Sequence, residues 1–192
     1  GYTDVDGDTL SVTGLKASNG SLAAVASDLN TFAEYDTISV NHNWTSIDLD
    51  RSYINPVVIT SDPTFKGSDP ATIRLQNIDS DSFEIRLQEP NYKDGWHKNE
   101  TVSYVVIEAG EWTLTDGTRF AAGITSSNKL SPQGFENIKF TNSFSIAPSL
   151  LTQVQTFNGS DWVITRTDQI NDQSFSVTMQ EEENLNRGRH LT

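Results

Sequence analysis

The N-terminal stretch of the chain carries three aspartates whose spacing is suited to binding calcium. Asp4, Asp6 and Asp8 alternate with other residues, and Gly7 permits a tight turn among them. Calcium takes about six to eight hard oxygen ligands, so closely spaced carboxylates are suitable donors. An EF-hand is not indicated, because its twelfth loop position would fall on Leu15 instead of a glutamate. We therefore predict a calcium site of another kind at these three aspartates, with a solvated acidic turn as the alternative.

A second candidate site is the loop from 91 to 97, where Trp96 and His97 stand shortly before Glu100. An aromatic ring beside polar groups can cover the apolar face of a sugar while the polar groups bind its hydroxyls. A later loop ends in His190 but lacks the tryptophan. We predict ligand binding by Trp96, His97, Glu100 and His190. The alternative, which the missing tryptophan favours, is a packed histidine beside a half-buried tryptophan.

Catalytic motifs are lacking. The three histidines do not accompany a nucleophile motif, so a Ser-His-Asp triad is not indicated. No nucleophile elbow, Walker loop or zinc-protease motif occurs in the sequence. With 26 acidic residues, some carboxylate pair always reaches glycosidase spacing, so such a pair has no weight. We predict that the chain is not an enzyme.

The composition is strongly acidic, with 26 acidic against 13 basic residues and a formal net charge of −13. Such a surface repels phosphate backbones, which argues against nucleic-acid partners. It suits calcium binding and solubility in salty water. There is no cysteine, and no apolar stretch approaches the length of a membrane span. We expect a secreted or cell-surface protein that is not embedded in a membrane.

The strands and turns expected to position the candidate site residues occur twice in the sequence. Residues 56–89 and 148–181 share about 13 identities in 34 positions without a gap. A long fixed period indicates a duplicated structural unit. For the repeated charges at Arg74/Arg166 and Glu89/Glu181 we favour a structural bracket over sugar contact, since a buried charge must be paired. The repeated aromatic pairs, Phe65/Phe157 and Phe83/Phe175, are expected in the core.

Short alternating segments separated by polar turns predict an all-β fold, an antiparallel β-sandwich built from two duplicated modules. The predicted strands are 37–41, 44–50, 56–61, 71–77, 82–88, 101–108, 111–115, 118–121, 136–140, 149–155, 162–168 and 174–180. The predicted division is an N-terminal segment (1–36), a first module (37–121), a linker (122–135) and a second, incomplete module (136–192).

The second module lacks a counterpart of the strand at 100–108. An uncovered sheet edge is an aggregation hazard. We therefore expect the N-terminal segment, a partner chain or a neighbouring domain to cover it. Either the native polypeptide continues with this strand or another of its segments supplies it.

Two parts of the sequence resemble known families. The pattern Asp-x-Asp-Gly-Asp-x-Leu-x-Val at 4–12 resembles the start of cadherin-like repeats in very large bacterial surface proteins, which implies calcium at a domain junction. The duplicated module resembles the H-type lectin-like β-sandwich. Together they are similar to a bacterial RTX-type adhesin. This implies a split scaffold that presents a ligand-binding domain, with neighbouring domains and cell-surface glycans as partners. The alternative is a carbohydrate-binding module of an adhesin or a polysaccharide-degrading enzyme.

Overall fold

The computed structural model describes residues 10–14 and 32–182, and within these ranges the chain forms antiparallel strands and no α-helix. The predicted all-β class is confirmed. No helix in the described ranges is long and apolar enough to cross a membrane. The strands are β1 (Leu10–Gly14), β2 (Ala33–Val40), β3 (Thr45–Asp48), β4 (Pro56–Thr60), β5 (Thr72–Gln76), β6 (Ser82–Gln88), β7 (Glu100–Glu108), β8 (Gly110–Thr113), β9 (Arg119–Thr125), β10 (Glu136–Lys139), β11 (Leu151–Val154), β12 (Val163–Asp168) and β13 (Ser174–Glu181).

The first sandwich consists of two three-stranded sheets, β2–β7–β4 and β3–β6–β5. β7 is the middle strand of its sheet, and its side chains alternate between the two faces as a strand requires. Val102, Tyr104 and Val106 point into the core, where they are buried. The ring of Tyr104 meets Phe83 of the opposite sheet edge-on, with ring centroids 5.2 Å apart. The middle strand thus supplies one half of the core.

The second sandwich repeats the first. Its sheet β10–β13–β12 has the same order as β3–β6–β5. Before β6 and before β13 the chain passes through the left-handed region, at Asn77 with φ 47° and at Gln169 with φ 51°. The tight turn after each of these residues closes with the same backbone hydrogen bond of 2.9 Å. Residues other than glycine rarely adopt this conformation, so its recurrence supports a duplicated unit.

β1 holds in the second sandwich the position that β7 holds in the first. It pairs with β11 from Leu10↔Val154 onward and meets β9 at Gly14↔Ala121. The order β9–β1–β11 therefore matches β2–β7–β4. Three candidates were expected to cover this edge, and the structure places a strand of the N-terminal segment there.

The sequence explains why β1 can replace β7. Residues 8–12 read DTLSV and residues 100–104 read ETVSY, so an acidic residue, a threonine, an aliphatic residue and a serine recur in the same order. The strand registers agree with this alignment, because Val12 lies opposite Thr152 as Tyr104 lies opposite Thr60, the duplicate of Thr152. The second copy of the module is therefore completed by a strand that precedes the first copy.

A third apolar cluster joins the two sandwiches. It contains buried residues from the first sandwich, Ala33, Val57 and Ile107, and from the β8–β9 hairpin, Phe120 and Ala122. The ring of Phe32 stacks on Trp112 of the hairpin with centroids 4.5 Å apart and planes at 2°. Because both sandwiches bury apolar surface here, they are held together by an interface and not only by a flexible linker.

We predict that Val12→Pro destabilises the second sandwich selectively. Proline has no N–H and cannot donate in a sheet whose middle strand has neighbours on both sides. A buried strand carbonyl that loses its N–H donor in this way lowers the free energy of unfolding by about 2 kcal/mol. This corresponds to a decrease of roughly 4–8 °C in melting temperature for a chain of this size.

Hydrogen exchange measured strand by strand checks this prediction. Exchange should accelerate in the second sandwich, most strongly in β9 and β11, with β4 and β7 protected as in the unsubstituted chain. Unchanged protection at β9 and β11 would contradict the placement of β1.

Candidate functional site

His97 is 4% exposed and lies between two buried carboxylates. Its Nδ1 is 2.7 Å from Glu89 Oε1, and its Nε2 is 3.5 Å from Glu100 Oε1. The 2.7 Å contact with Glu89 is a hydrogen bond, and the 3.5 Å contact brings the other ring nitrogen against Glu100. His97 thus stabilises the loop at 91–97 through its contacts with Glu89 and Glu100.

Glu100 fixes the turn that approaches it from the other side. Its carboxylate accepts hydrogen bonds from Thr64 Oγ1 at 2.6 Å, from the Lys66 N–H at 2.8 Å and from the Gly67 N–H at 2.5 Å. A Cβ at Gly67 would lie 2.6 Å from the ring of His97, so only glycine fits. We call residues 65–69 the first turn. Its backbone is held rigid by these bonds.

The structure separates the residues that the sequence placed in one ligand site. Trp96 is 59% exposed, and its ring is tilted against His42 with centroids 5.7 Å apart. A polar depression of about 260 Å³, lined in part by His42, Gln88 and Asp94, opens beside it. His97 and Glu100 instead direct their polar atoms to Glu89 and the first turn.

The other predicted site residues cannot be placed. Asp4, Asp6, Asp8 and His190 lie outside the described residues. Within residues 10–14 and 32–182, no group of three or more histidine, aspartate or glutamate side chains is arranged to hold a metal ion.

The corresponding turn of the second sandwich, residues 157–161, docks on the first sandwich. We call these residues the second turn. The ring of Phe157 lies under two guanidinium groups, 4.7 Å from Arg74 and 4.5 Å from Arg86, and meets Trp44 edge-on at 5.4 Å. Cation–π contacts of this kind contribute about 0.5–2 kcal/mol each, depending on desolvation. Phe157 thus inserts into a cationic and aromatic socket on the outer face of β3, β5 and β6.

Hydrogen bonds to the backbone surround this aromatic contact. Arg74 donates to the carbonyl oxygen of Asp161 at 2.5 Å, and the Gln88 amide donates to the carbonyl oxygen of Ser160 at 2.5 Å. Arg74 also donates to the side chain of Gln88 at 2.9 Å, which orients both groups. The second turn is therefore held by its ring and by its main chain together.

A second set of contacts lies along β4. The Val58 N–H donates to Gln155 Oε1 at 2.5 Å, and Thr60 Oγ1 donates to Gln153 Oε1 at 3.0 Å. Val58 is fully buried, so its N–H requires a partner. The glutamines of the second sandwich supply acceptors to a strand of the first.

These contacts correct two expectations. Phe65 was predicted to be core and is 87% exposed; that prediction is wrong, because the ring projects from the rigid first turn into solvent. Phe157 lies in the socket between the sandwiches, while Phe83 and Phe175 are core as predicted. Arg74 and Glu89 are buried and hydrogen-bonded, as a structural bracket requires, although Arg74 bonds the second turn and Glu89 bonds His97 instead of each other.

The socket of Trp44, Arg74 and Arg86 was not predicted from the sequence. Trp44 and Arg86 have no identical counterpart in the second copy, so the internal repeat does not reveal them. A useful signal was present in the turns themselves: a phenylalanine that recurs before Gly-Ser-Asp in a surface turn indicates a contact outside its own core.

Fold and contacts together define a tandem of two β-sandwiches whose buried polar groups are used for internal and inter-sandwich bonding. The chain is similar to halomucin from Haloquadratum walsbyi, with 35% identity over 162 residues. The alignment covers 78% of this chain and spans only 2% of the length of halomucin, so the likeness is to a small part of a very long protein. No protein-family profile and no solved structure matches the chain.

We predict that the chain loses stability in acid through Glu100. Burial raises the pKa of this carboxyl, but hydrogen bonds from Thr64, Gly67, Lys66 and His97 outweigh it and lower the pKa to about 2. The ordinary value is 4.5, so the folded state binds the proton less tightly than the unfolded state. The contribution is present above about pH 4.5 and is lost as the pH falls toward 2.

Melting temperature measured from pH 6 to about pH 2 checks this prediction. Glu100→Gln should lower the melting temperature at pH 6 and flatten its decline in acid, whereas Asp62→Asn at an exposed position should reproduce the unsubstituted profile. An acid profile of Glu100→Gln as steep as that of the unsubstituted chain would show that another group is responsible.

Proposed function

We propose that the chain is a non-catalytic extracellular module that forms a stiff segment of a very long surface protein. The observation that carries the proposal is the docking of Phe157 between Arg74, Arg86 and Trp44. This contact adds to the apolar cluster at the β8–β9 hairpin and to the bonds along β4, so three sets of contacts join the two sandwiches. Contacts at several places resist both bending and twisting.

Likeness to a small part of halomucin supports a place in a long chain. A net charge of −13 supports an extracellular, salt-rich setting, because surface repulsion is screened there. The sequence holds no catalytic motif, so the proposal includes no reaction. Within the proposal, the long protein is an adhesin of the RTX type, and the module presents neighbouring ligand-binding domains.

Calcium forms a further part of the proposal. Asp4, Asp6 and Asp8 would bind it at the junction with a preceding module, as their spacing and the cadherin-like pattern imply. The sequence match between residues 8–12 and 100–104 offers Asp8 another role, because it stands where Glu100 stands in the first copy. Melting temperature in calcium and in EDTA decides between these roles: a calcium-dependent rise that Asp4→Asn and Asp6→Asn remove supports the ion site.

We predict that Phe157→Ala loosens the connection between the sandwiches. The substitution removes two cation–π contacts and one aromatic contact, which together correspond to about 2–3 kcal/mol. The matched control is Phe65→Ala, which removes the same residue from the same motif where it is 87% exposed, and should change monomer stability by less than about 0.5 kcal/mol.

Residual dipolar couplings of the two sandwiches measure their relative orientation. In Phe157→Ala, independent motion of the sandwiches should reduce the residual dipolar couplings of one sandwich relative to the other. In Phe65→Ala, the couplings of both sandwiches should stay as in the unsubstituted chain. Equal, rigid alignment in both variants would refute the proposed stiffening by this contact.

The alternative function is carbohydrate binding, favoured by the exposure of Trp96 and Tyr92 beside the polar depression lined by Gln88 and Asp94. On a glycan array run in calcium and in EDTA, this function predicts binding that Trp96→Ala abolishes without lowering the melting temperature. Tyr35→Ala, on a ring that is also 59% exposed, is the control and should bind as before. An array without signal from the unsubstituted chain would dismiss this alternative.

A further inference from the structure

The first turn carries an exposed aromatic residue whose duplicate is covered. Phe65 is 87% exposed, whereas Phe157 is covered by Arg74, Arg86 and Trp44. Both turns continue with Gly-Ser-Asp. A single exposed apolar side chain is ordinary on a protein surface, so the significance of Phe65 comes from its duplicate, Phe157, which is covered.

The first turn is also preorganised for docking. Glu100 holds the N–H groups of Lys66 and Gly67, and Lys93 forms a 2.5 Å ion pair with Asp69. Because the backbone is already ordered, little conformational entropy is lost when the ring is covered.

The second sandwich carries the matching surface. The strand registers place Phe135 where the first sandwich has Trp44, since Glu136 pairs with β13 as Thr45 pairs with β6. Gln180 and Arg166 stand where Gln88 and Arg74 stand, and Arg166 donates to Gln180 Oε1 at 2.6 Å as Arg74 donates to Gln88. Arg166 is exposed, and Phe135 is 41% exposed.

Besides having Phe135 in place of Trp44, this surface differs from the occupied socket at the position of Arg86. The position of Arg86 is taken by Thr178, which is 2% exposed and donates to the carbonyl oxygen of Lys129. One of the two guanidinium contacts is therefore absent, and we expect a weaker contact than the one made by Phe157.

We propose that the first turn of one copy of this chain docks on Phe135, Arg166 and Gln180 of a second copy, repeating between chains the contact that the second turn makes within the chain. The occupant is a second copy because this chain carries both the exposed turn and the matching surface, and because the interface of Phe157 with Arg74 and Trp44 shows how equivalent positions fit. This inference rests on the proposed structural function, which it extends from two sandwiches to an array.

The two surfaces lie on different sandwiches, so the contact is head-to-tail. Such an interface generates rings where its rotation closes and open chains where it does not, and we expect open chains here. In a long tandem protein, linked modules meet at about millimolar effective concentration, so a dissociation constant near 1 mM is sufficient to order an array.

Sedimentation velocity of the unsubstituted chain at increasing concentration tests the inference. The measurement is made at about 1 M salt, where the Debye length is about 3 Å and the repulsion between two chains of charge −13 is screened. We expect concentration-dependent species beyond the dimer, with an apparent dissociation constant below about 1 mM.

Two variants identify the surfaces. Phe65→Ala removes the ring of the turn and Arg166→Ala removes the cation of the socket, and each alone should raise the dissociation constant roughly tenfold or more. An equimolar mixture of the two retains one intact turn and one intact socket, so it should form dimers and nothing larger.

The outcomes separate this inference from the proposed function. The head-to-tail contact is overturned if the unsubstituted chain stays monomeric to about 1 mM. It is also overturned if Phe65→Ala associates as strongly as the unsubstituted chain. If Phe157→Ala still loosens the two sandwiches in that case, the intramolecular docking stands and only the array is lost. Dimers confined to the mixed sample establish the contact as proposed.

Discussion

The middle strand of each sandwich is the constraint on which the rest of the molecule depends. In the first sandwich β7 pairs on both sides and fills the core with Val102, Tyr104 and Val106. Ile107 of β7 lies in the apolar cluster between the sandwiches. Glu100, the first residue of β7, binds the backbone of the first turn. Core, interface and exposed turn are therefore tied to one strand. The second sandwich meets the same requirement with β1, so its integrity depends on a segment far away in sequence.

The same turn motif has different roles in the two sandwiches because its surroundings differ. The turns at 65–69 and 157–161 share their phenylalanine, glycine, serine and aspartate, yet one ring is solvent-exposed and the other is covered by Arg74, Arg86 and Trp44. The residues that make a turn rigid are local and are copied with it, whereas the partner surface is supplied by another sandwich. Duplication of a module thus produces a turn and a surface at equivalent positions, and the substitutions at Trp44 and Arg86 distinguish the two surfaces.

Periodicity predicted the all-β class and placed most strands within a few residues. β2 begins at Ala33 and not at 37, and β9 extends to Thr125 beyond the predicted 121. Both misplaced ends involve small residues, such as Ala33 and Ala122, that carry little strand preference and are buried by the cluster between the sandwiches. The N-terminal segment was one of three candidates for covering the open edge of the second module, and the match of 8–12 to 100–104 in the sequence distinguishes it from the other two. Phe65 was misplaced because hydrophobicity does not distinguish a core from a docking surface.

The chemistry of the inter-sandwich contacts fits an acidic protein in high salt. Arg74 and Gln88 donate to main-chain carbonyl oxygens, and Gln155 and Gln153 accept from β4, so these bonds join at most one charged group to a neutral one. Salt screens attraction between two exposed ions far more than it weakens a partly buried bond to a carbonyl. Apolar burial around Phe157 and Phe120 is strengthened by excluded salts. An interface built from these interactions remains intact under conditions in which surface ion pairs contribute little, and the many acidic side chains are then free to keep the exterior hydrated.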